Sequence, residues 1–381
     1  MKLFHIINNI SVENYAGGAE LFSIRLLEFL PKEFERHLIV IWQCGTEDEK
    51  EIVVRLKEKI SIHFLGDYFN KKKTFSKAVR SYFKLLEDLE PSIIHSHSEL
   101  PDVFGILTKI FYNKKTTFIR TMHTDKQWQK SLLFELIFLK ILLPLYCDKE
   151  VAISEMTKER LDNRCVAKRL NKLSKKIYNA IDEDSLLKKY EPKDNILSLD
   201  ILGKRIRAIS TGRLTEQKGY RYLIEAISIL HKEIDIYLYI FGEGDQRKEL
   251  EELIKKNNLQ DNVKLLGHNK NACMFYKDFD VFVSSSIYEG FPTVILEAMV
   301  LNIPVIATNV SGSRELIINK KTGLLIPPKN PVELSNSIKY LMSNYDKALE
   351  YASNAKKLVS QYRIENIVRE YLNIYKDSNF T

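Results

Sequence analysis

Short apolar segments alternate with amphipathic segments along the whole chain of 381 residues. The short apolar segments are typical of buried strands, and apolar positions recurring every three to four residues are typical of helices. The clearest predicted helices cover residues 19–30, 74–89, 220–231 and 246–257. The predicted strands of the first half are residues 3–8, 38–42, 60–65, 92–96, 117–123, 150–154 and 176–178. Those of the second half are residues 205–210, 236–241, 263–266, 280–284, 304–307 and 323–326.

This alternation predicts an α/β protein with a doubly wound parallel sheet in each half. Residues 182–204 are charged and show no regular period, so we interpret them as a linker. The predicted domains are residues 1–181 and 205–361, followed by a terminal helix within 362–381. Parallel strands gather ligands at their carboxyl ends. We therefore expect a small-molecule site where the two sheets face each other across a cleft.

Composition and charge narrow the function. The chain carries 58 Lys and Arg against 50 Asp and Glu, a net charge of +8, which is modest for this length and does not indicate a nucleic-acid partner. The four cysteines stand far apart without a C-x-x-C pair, which disfavours a disulfide scaffold and a structural zinc site. The first residues enter a strand without the pattern of a signal peptide. We expect a cytoplasmic protein.

An apolar run at residues 132–146 lies near basic segments at residues 71–73 and 164–176. The run is shorter than the roughly 18–20 apolar residues of a spanning helix, which argues against a transmembrane protein. We interpret residues 132–143 of this run as a buried helix, and a helix lying on a membrane is the alternative. The cations are either a solvated face or a peripheral contact with an anionic membrane.

Two glycine-containing loops are candidate phosphate sites. Gly17 and Gly18 follow the first strand and open the first helix, where free backbone N–H groups attract anions. A tight turn without a ligand explains this pair equally well. In the second half, Gly212 and Arg213 precede Lys218 on the loop after the first strand. Two cations at this place could hold a diphosphate, although an ordinary solvated loop is the alternative.

Two glutamates stand out in the segment SSSIYEGFPTVILEAM, residues 284–299. Glu289 lies on the loop after a buried strand, and Pro292 suits the first turn of a helix that carries Glu297. The two carboxylates could accept hydrogen bonds from different hydroxyls of one polyhydroxylated ligand. A glutamate near a helix start also simply complements the helix dipole.

Three histidines end predicted strands: His95 and His97 in IIHSHSE, and His123 in TMHTD. The spacing of His95 and His97 suits a metal pair, as in metal-dependent hydrolases. We find no partner set of Asp or His residues at a convincing spacing, which disfavours a metal. Strand-end histidines with hydrogen-bond partners in the protein are the simpler interpretation.

Taken together, the motifs resemble those of the family 4 retaining glycosyltransferases, which have the GT-B fold. The matching segments span nearly the whole chain, most closely in the second half. They are GGAE, IIHSH, TMHTD, VAISEMTKERL, IYNAID, STGRLTEQKGYRYLIEAI, IFGEGDQRKELEELI, VKLLGH, SSSIYEGFPTVILEAMVLNIPVIATNVSGSRELI and KTGLLIPPKNPVEL. The resemblance implies GT-B, two Rossmann-like domains of which the second binds a nucleotide sugar, with the terminal helix crossing back to the first.

The resemblance also implies a role for each matching residue. Arg213 and Lys218 would hold the donor diphosphate, Glu289 the sugar hydroxyls and Glu297 the ribose. His123 would sit over the donor sugar near the reacting carbon. The remaining donor contacts implied are Gly17, Gly18, Gly212, Gly267, His268, Gly290, Phe291, Pro292 and Thr293.

The implied reaction moves a hexose or N-acetylhexosamine from a nucleoside-diphosphate sugar, first of all a UDP-sugar, with retention of configuration. The family needs no metal and no cofactor. We expect a lipid-linked sugar or a polysaccharide as acceptor, although residues 65–80 and 124–146 match nothing specific there. A soluble enzyme making a small glycoside and a catalytically inactive nucleotide-sugar-binding protein are the alternatives.

Overall fold

The structure is a computed structural model that describes residues 1–11, 18–112, 115–124, 132–189, 205–269 and 271–377. It divides into two compact units. The first comprises Met1–Ala180 and Ile364–Thr381, and the second comprises Ile181–Arg363. The terminal helix, α15 below, therefore belongs to the first unit.

In the first unit, parallel strands form a sheet in the order β3-β2-β1-β4-β5-β6-β7. The strands are β1 (Lys2–Ile7), β2 (Glu35–Gln43), β3 (Ser61–Asp67), β4 (Ile93–Ser96), β5 (Thr117–Met122), β6 (Lys149–Ala152) and β7 (Lys175–Lys176). The helices are α1 (Gly18–Phe29), α2 (Glu47–Leu56), α3 (Lys71–Leu89), α4 (Glu99–Phe111), α5 (residues 132–146), α6 (Glu155–Asp162), α7 (Cys165–Arg169) and α15 (Ile364–Asp377).

These helices cover the first sheet on both faces. Buried residues of α1 and α15 form one hydrophobic cluster with the sheet. Buried residues of α3, α4 and α5 form another. Right-handed crossovers place helices on both faces because the strand order reverses direction between β1 and β4. The strands are accordingly buried on both sides, as in the fully buried β4 and β5.

The helix α5 is unusual in its backbone and in its exposure. Its middle, Glu135–Leu142, is a π-helix between α-helical ends. Leu139 and Leu143 are buried, whereas most other large apolar side chains of the helix are exposed. The interpretation of residues 132–143 as a buried helix is therefore correct for one face only. None of the helices that the structure describes is long and apolar enough to cross a bilayer.

The second unit contains a parallel sheet in the order β10-β9-β8-β11-β12-β13. Its strands are β8 (Ile206–Thr211), β9 (Ile236–Phe241), β10 (Val263–Gly267), β11 (Val281–Ser284), β12 (Val305–Thr308) and β13 (Leu324–Ile326). Its helices are α8 (Glu183–Lys189), α9 (Tyr220–Leu230), α10 (Arg247–Lys256), α11 (Thr293–Val300), α12 (Ser311–Leu316), α13 (Pro331–Ser343) and α14 (Tyr345–Leu358). Its 3₁₀ segments among the described residues are Glu216–Lys218, Ala272–Asp278 and Val359–Tyr362.

The predicted class, two doubly wound parallel sheets, is confirmed. Every predicted strand is present, with ends that lie at most three residues from the observed ends. The segment interpreted as a linker begins with the helix α8, and residues 190–204 lie outside the described part of the chain.

Candidate functional site

The candidate site lies at the carboxyl ends of two neighbouring strands in the second unit. β8 pairs with β11, so the loops that follow these strands leave the sheet side by side. The loop after β8 runs through Gly212 and Arg213 into the 3₁₀ segment Glu216–Lys218. The loop after β11 leads into α11. Parallel α/β sheets bind their ligands at such ends.

The structure brings Lys218 and Glu289 into direct contact. The Nζ of Lys218 forms a short ion pair with Oε1 of Glu289, and the two side chains are 19% and 8% exposed. Ser286 Oγ donates to the same Oε1 at 2.9 Å, and Gln217 Nε2 donates to Oε2 at 3.4 Å. Three donors from two loops therefore fix one carboxylate at the sheet edge.

Hydrogen bonds to backbone carbonyls hold these two loops together. Ser285 Oγ donates to the carbonyl of Lys218 at 2.9 Å, and the N–H of Ile287 donates to the carbonyl of Gln217 at 2.7 Å. Gly219 has a φ of +63°, and a Cβ atom there would lie 2.3 Å from the carbonyl oxygen of Ser285. Only glycine allows both this conformation and this approach. The position of Lys218 beside Glu289 therefore depends on Gly219.

Arg213, the first of the two predicted diphosphate-binding cations, has a different environment from Lys218. Arg213 is exposed on the loop, next to Gly212. A Cβ atom on Gly242, at the end of β9, would lie 1.9 Å from the carbonyl oxygen of Gly212. The close backbone approach of these two glycines lets the loop with Arg213 leave the sheet beside β9. Sequence reasoning singled out Gly212 and missed Gly242.

The second predicted glutamate lies on the helix that follows. Glu297 on α11 is half-buried, and Tyr276 OH donates to its Oε2 at 3.5 Å. Pro292 stands at the cap position, just before the first helical residue, Thr293. This placement agrees with the predicted helix start within one residue.

The loop between Glu289 and Glu297 is packed inside the second unit. The N–H of Gly312, in the first turn of α12, donates to the carbonyl of Glu289 at 3.1 Å. A Cβ atom on Gly312 would lie 2.6 Å from the carbonyl oxygen of Gly290. Phe291 is buried, and its ring centroid lies 5.7 Å from that of Tyr362. The Phe291 side chain therefore supports the loop from inside the unit.

The other predicted donor residues lie at separate places. Gly267 ends β10 with a φ of +78°, and its carbonyl accepts from the N–H of Gly242 at 2.8 Å. His268 is exposed directly after it. In the first unit, Gly18 is the first residue of α1, and Gly17 lies outside the described residues.

A chain of hydrogen-bonded histidines lies inside the first unit. His97 Nδ1 lies 3.2 Å from His123 Nε2, and His97 Nε2 lies 3.2 Å from His5 Nδ1. His5 on β1 is in register with His95 on β4. The structure therefore gathers the three predicted histidines and adds His5. The only signal for His5 is its place in β1, which needs the strand order to be useful.

The other contacts of these histidines show whether an ion is needed. Ligand atoms of His5, His95 and His97 all lie within 4.8 Å of one another, close enough for a metal. However, each ring nitrogen of these three also has a hydrogen-bonding partner in the protein. Besides the contacts above, these are Ser23 at 3.0 Å and Tyr375 at 3.0 Å for His5, and Tyr375 at 2.7 Å and Thr121 at 2.8 Å for His95. Hydrogen bonds within the protein therefore give every ring nitrogen of these three histidines a partner.

Burial keeps the four histidines neutral. It lowers the pKa of His5 and that of His123 to about 3, and it lowers the pKa of His95 and that of His97 well below 6.5. The unfolded chain binds a proton at each histidine below about pH 6.5, whereas the folded chain does not. The contribution of these histidines to the stability of the fold is therefore fully present above this pH, and it is lost as the pH drops toward 3.

We expect the free energy of unfolding to fall as the pH drops below about 6.5, by up to about 1.4 kcal/mol per pH unit for each histidine that stays neutral in the folded chain. Urea denaturation at a series of pH values measures this slope. His97→Asn should reduce the slope, because one fewer proton is bound on unfolding. His268→Gln changes an exposed histidine and should leave the slope as in the wild type. Equal slopes in all three proteins would contradict the account.

Two family descriptions match the chain in series. Residues 16–185 match Glycosyltransferase Family 4, and residues 194–358 match Glycosyl transferases group 1. An uncharacterized glycosyltransferase of Methanocaldococcus jannaschii is 30% identical over 312 residues, which cover 77% of this chain and 73% of the relative. The N-acetylgalactosamine-N,N'-diacetylbacillosaminyl-diphospho-undecaprenol 4-alpha-N-acetylgalactosaminyltransferase of Campylobacter jejuni is 27% identical over 367 residues, 94% of this chain and 95% of the relative.

Solved structures resemble the chain over its full length. The Anabaena protein HepE in complex with UDP and glucose has a TM-score of 0.82 at 20% identity, covering 99% of this chain and 100% of that one. Sucrose-phosphate synthase of Thermosynechococcus elongatus has a TM-score of 0.80 at 20% identity, covering 99% and 98%. At this identity the likeness concerns the fold, which is GT-B.

Proposed function

The chain belongs to the group 1, family 4 glycosyltransferases, and from this premise we propose which donor and acceptor it uses. The proposed donor is a nucleoside-diphosphate hexose or N-acetylhexosamine, in the first place a UDP-sugar. The proposed acceptor is a lipid-linked sugar or a growing polysaccharide for a cell-surface glycan. Transfer proceeds with retention of configuration and without a metal ion.

The observation that carries the donor proposal is the contact between Lys218 and Glu289 at the sheet edge. A diphosphate needs cations, and a sugar hydroxyl needs an acceptor for its hydrogen bond. This site holds a cation, Lys218, in direct contact with a hydrogen-bond acceptor, Glu289. The exposed Arg213 lies on the same loop as Lys218. In the proposal, Lys218 and Arg213 bind the diphosphate, Glu289 binds sugar hydroxyls, and Glu297 binds the ribose.

The proposed reaction relies on charge stabilisation at the leaving group. The bond between the anomeric carbon and the phosphate oxygen breaks, and the acceptor oxygen bonds to the same face of the sugar. The departing phosphate oxygen takes the proton of the acceptor hydroxyl. Arg213 and Lys218 stabilise the charge that develops on the diphosphate, a term that is commonly the largest in catalysis. A pair of carboxylates flanking the bond, as in glycosidases, is not required.

His123 has a proposed role that its ionisation limits. Burial lowers its pKa to about 3, so the imidazole is neutral near pH 7. A neutral imidazole can donate or accept a hydrogen bond at a sugar hydroxyl, but it supplies no positive charge. The role implied by the family resemblance is therefore one of positioning the donor sugar.

The names of relatives support the proposed donor nucleotide and the proposed acceptor. HepE was solved with UDP and glucose, which supports a UDP-linked donor. The Campylobacter jejuni relative is named for transfer to a diphospho-undecaprenol-linked sugar, which supports a lipid-linked acceptor. A relative from Staphylococcus aureus is a glycosyltransferase of capsular polysaccharide biosynthesis. The proposed place of work is the inner face of a membrane, contacted from the cytoplasm.

Release of nucleoside diphosphate from UDP-, GDP- and ADP-sugars by the purified protein tests the donor proposal. With EDTA present, we expect turnover of a UDP-sugar, without an acceptor or with lipid-linked sugars added. Turnover that needs a divalent cation would contradict metal independence, and turnover of GDP- or ADP-sugars alone would contradict the UDP-linked donor. Donor binding without any transfer would favour the inactive binding protein, and transfer only to small soluble acceptors would favour the soluble enzyme.

A further inference from the structure

We propose that the outer face of α5, together with the basic segment of residues 164–176, docks the first unit on an anionic lipid bilayer. This inference deepens the proposed function and rests on it for the lipid-linked acceptor. It concerns a surface of the first unit alone, whereas the donor site described above lies in the second unit. Its success or failure can therefore be measured separately from catalysis.

The first observation is the exposure of large apolar side chains along α5. The outer face presents Leu133, Phe134, Leu136, Ile137, Ile141 and Leu145, each between 39% and 64% exposed. Single exposed apolar residues are ordinary, but a row of six on one short helix is not. Water solvates this face poorly, so a partner that removes it from water is favoured.

The second observation is that α5 is firmly held from behind. Leu139 and Leu143 are buried in the cluster shared with α3 and α4. Arg160 forms an ion pair with Glu135 at 3.2 Å, and Arg164 Nη1 donates to the carbonyl of Leu139 at 2.9 Å. These contacts tie α5 to α6 and to the start of α7. The apolar face is therefore presented by an anchored helix.

The third observation is the charge beside this face. The segment of residues 164–176 contains six Lys and Arg and no acidic residue. Lys172 Nζ donates to the carbonyls of Leu145 and Cys147 at 3.2 and 2.9 Å, which places the segment against the end of α5. Exposed cations and exposed apolar residues alternate along it: Lys168, Arg169, Leu170, Leu173 and Lys175.

These three observations favour a lipid surface over other occupants. Glu135, the acidic residue of α5, is paired with Arg160. Arg164 and Lys176 pair with Glu150 and Glu155, so the exposed Lys168, Arg169 and Lys175 supply the positive charge beside the apolar face. Anionic headgroups attract cations while the acyl region receives apolar side chains, which is how interfacial helices bind. A second copy related by twofold symmetry would bring the same cations face to face. The docking partner inferred is therefore a bilayer rich in anionic lipids.

Co-sedimentation with vesicles tests this surface. The vesicles contain phosphatidylcholine alone or phosphatidylcholine mixed with phosphatidylglycerol in equal amounts. The apolar variant is F134Q/I137Q/I141Q, and the charge variant is K168Q/R169Q/K175Q. Matched controls in the second unit are V332Q/L349Q, at exposed apolar positions, and K255Q/K256Q, at exposed lysines. Release of nucleoside diphosphate from a soluble UDP-sugar is measured for every variant.

We expect the wild type and both controls to sediment with the anionic vesicles and not with phosphatidylcholine alone. Both surface variants should bind about tenfold or more weakly, and binding of the wild type should weaken as salt is added. Normal donor turnover in these variants would show that they fold.

Equal binding by the wild type and both surface variants would overturn the proposal. So would an apolar variant that turns a dimer into a monomer without changing vesicle binding. Loss of donor turnover in every protein would count against the proposed function and leave the docking result intact.

Discussion

Replacing Glu289 by glutamine should lower the rate of sugar transfer by about two to three orders of magnitude. The carboxylate accepts from Ser286 and Gln217 and forms the ion pair with Lys218. Glutamine keeps the size of the side chain but removes its charge, so it binds sugar hydroxyls less strongly and no longer balances Lys218. Initial rates with a saturating UDP-sugar donor measure the effect.

The control for this substitution is Glu333→Gln, which changes an exposed glutamate in the first turn of α13. This variant should retain the wild-type rate. Thermal unfolding of the Glu289→Gln protein should stay close to that of the wild type, because Lys218 and Ser286 can still donate to the amide oxygen. Gln217 keeps its hydrogen bond to the carbonyl of Tyr288. Near-normal transfer by Glu289→Gln would remove Glu289 from the proposed donor site.

Replacing Arg120 by methionine should lower the free energy of unfolding by about 3–5 kcal/mol. Arg120 is fully buried on β5, and its guanidinium lies 3.0 Å from Asp102 and 3.0 Å from Glu150. Even beside this cation, burial raises the pKa of Asp102 to about 6. Methionine would leave Asp102 without a cation and Glu150 with only Arg164. Urea denaturation near neutral pH measures the loss.

Two further variants separate this effect from general damage. Arg205→Met removes an ion pair with Asp235 in which both side chains are more than 40% exposed, and it should cost about 1 kcal/mol or less. The double variant R120M/D102L removes one of the stranded carboxylates and should recover part of the lost stability. If R120M costs no more than Arg205→Met, the buried network does not stabilise the first unit as argued.

Most of the fold could be predicted from the pattern of apolar residues. Strands such as β11 and β12 are short, largely apolar and buried on both faces, which makes them easy to separate from the helices between them. The ends of the strands are harder to predict, because the terminal residues of a strand are set by pairing with its neighbour. The strand expected at residues 176–178 is only Lys175–Lys176, where it pairs with β6.

The candidate site was predictable as a set of residues but not as a set of contacts. Lys218 and Glu289 are 71 positions apart, and only the pairing of β8 with β11 brings their loops together. Gln217 and Ser286 hold the carboxylate but have no distinctive sequence spacing. The split of α5 into a buried and an exposed face likewise depends on how the helix is rotated against its neighbours, which its nearly uniform apolar sequence does not specify.

Calorimetric titration of UDP into the wild type and into Lys218→Met tests the central claim most directly, because it asks whether the Lys218–Glu289 site binds the diphosphate. UDP without its sugar avoids any dependence on the acceptor or on turnover. Lys255→Met, on the exposed end of α10, serves as the matched control. The account predicts saturable binding to the wild type and to the control, and binding about tenfold or more weaker in Lys218→Met. Equal affinity in all three proteins, or no binding to the wild type, would contradict the account.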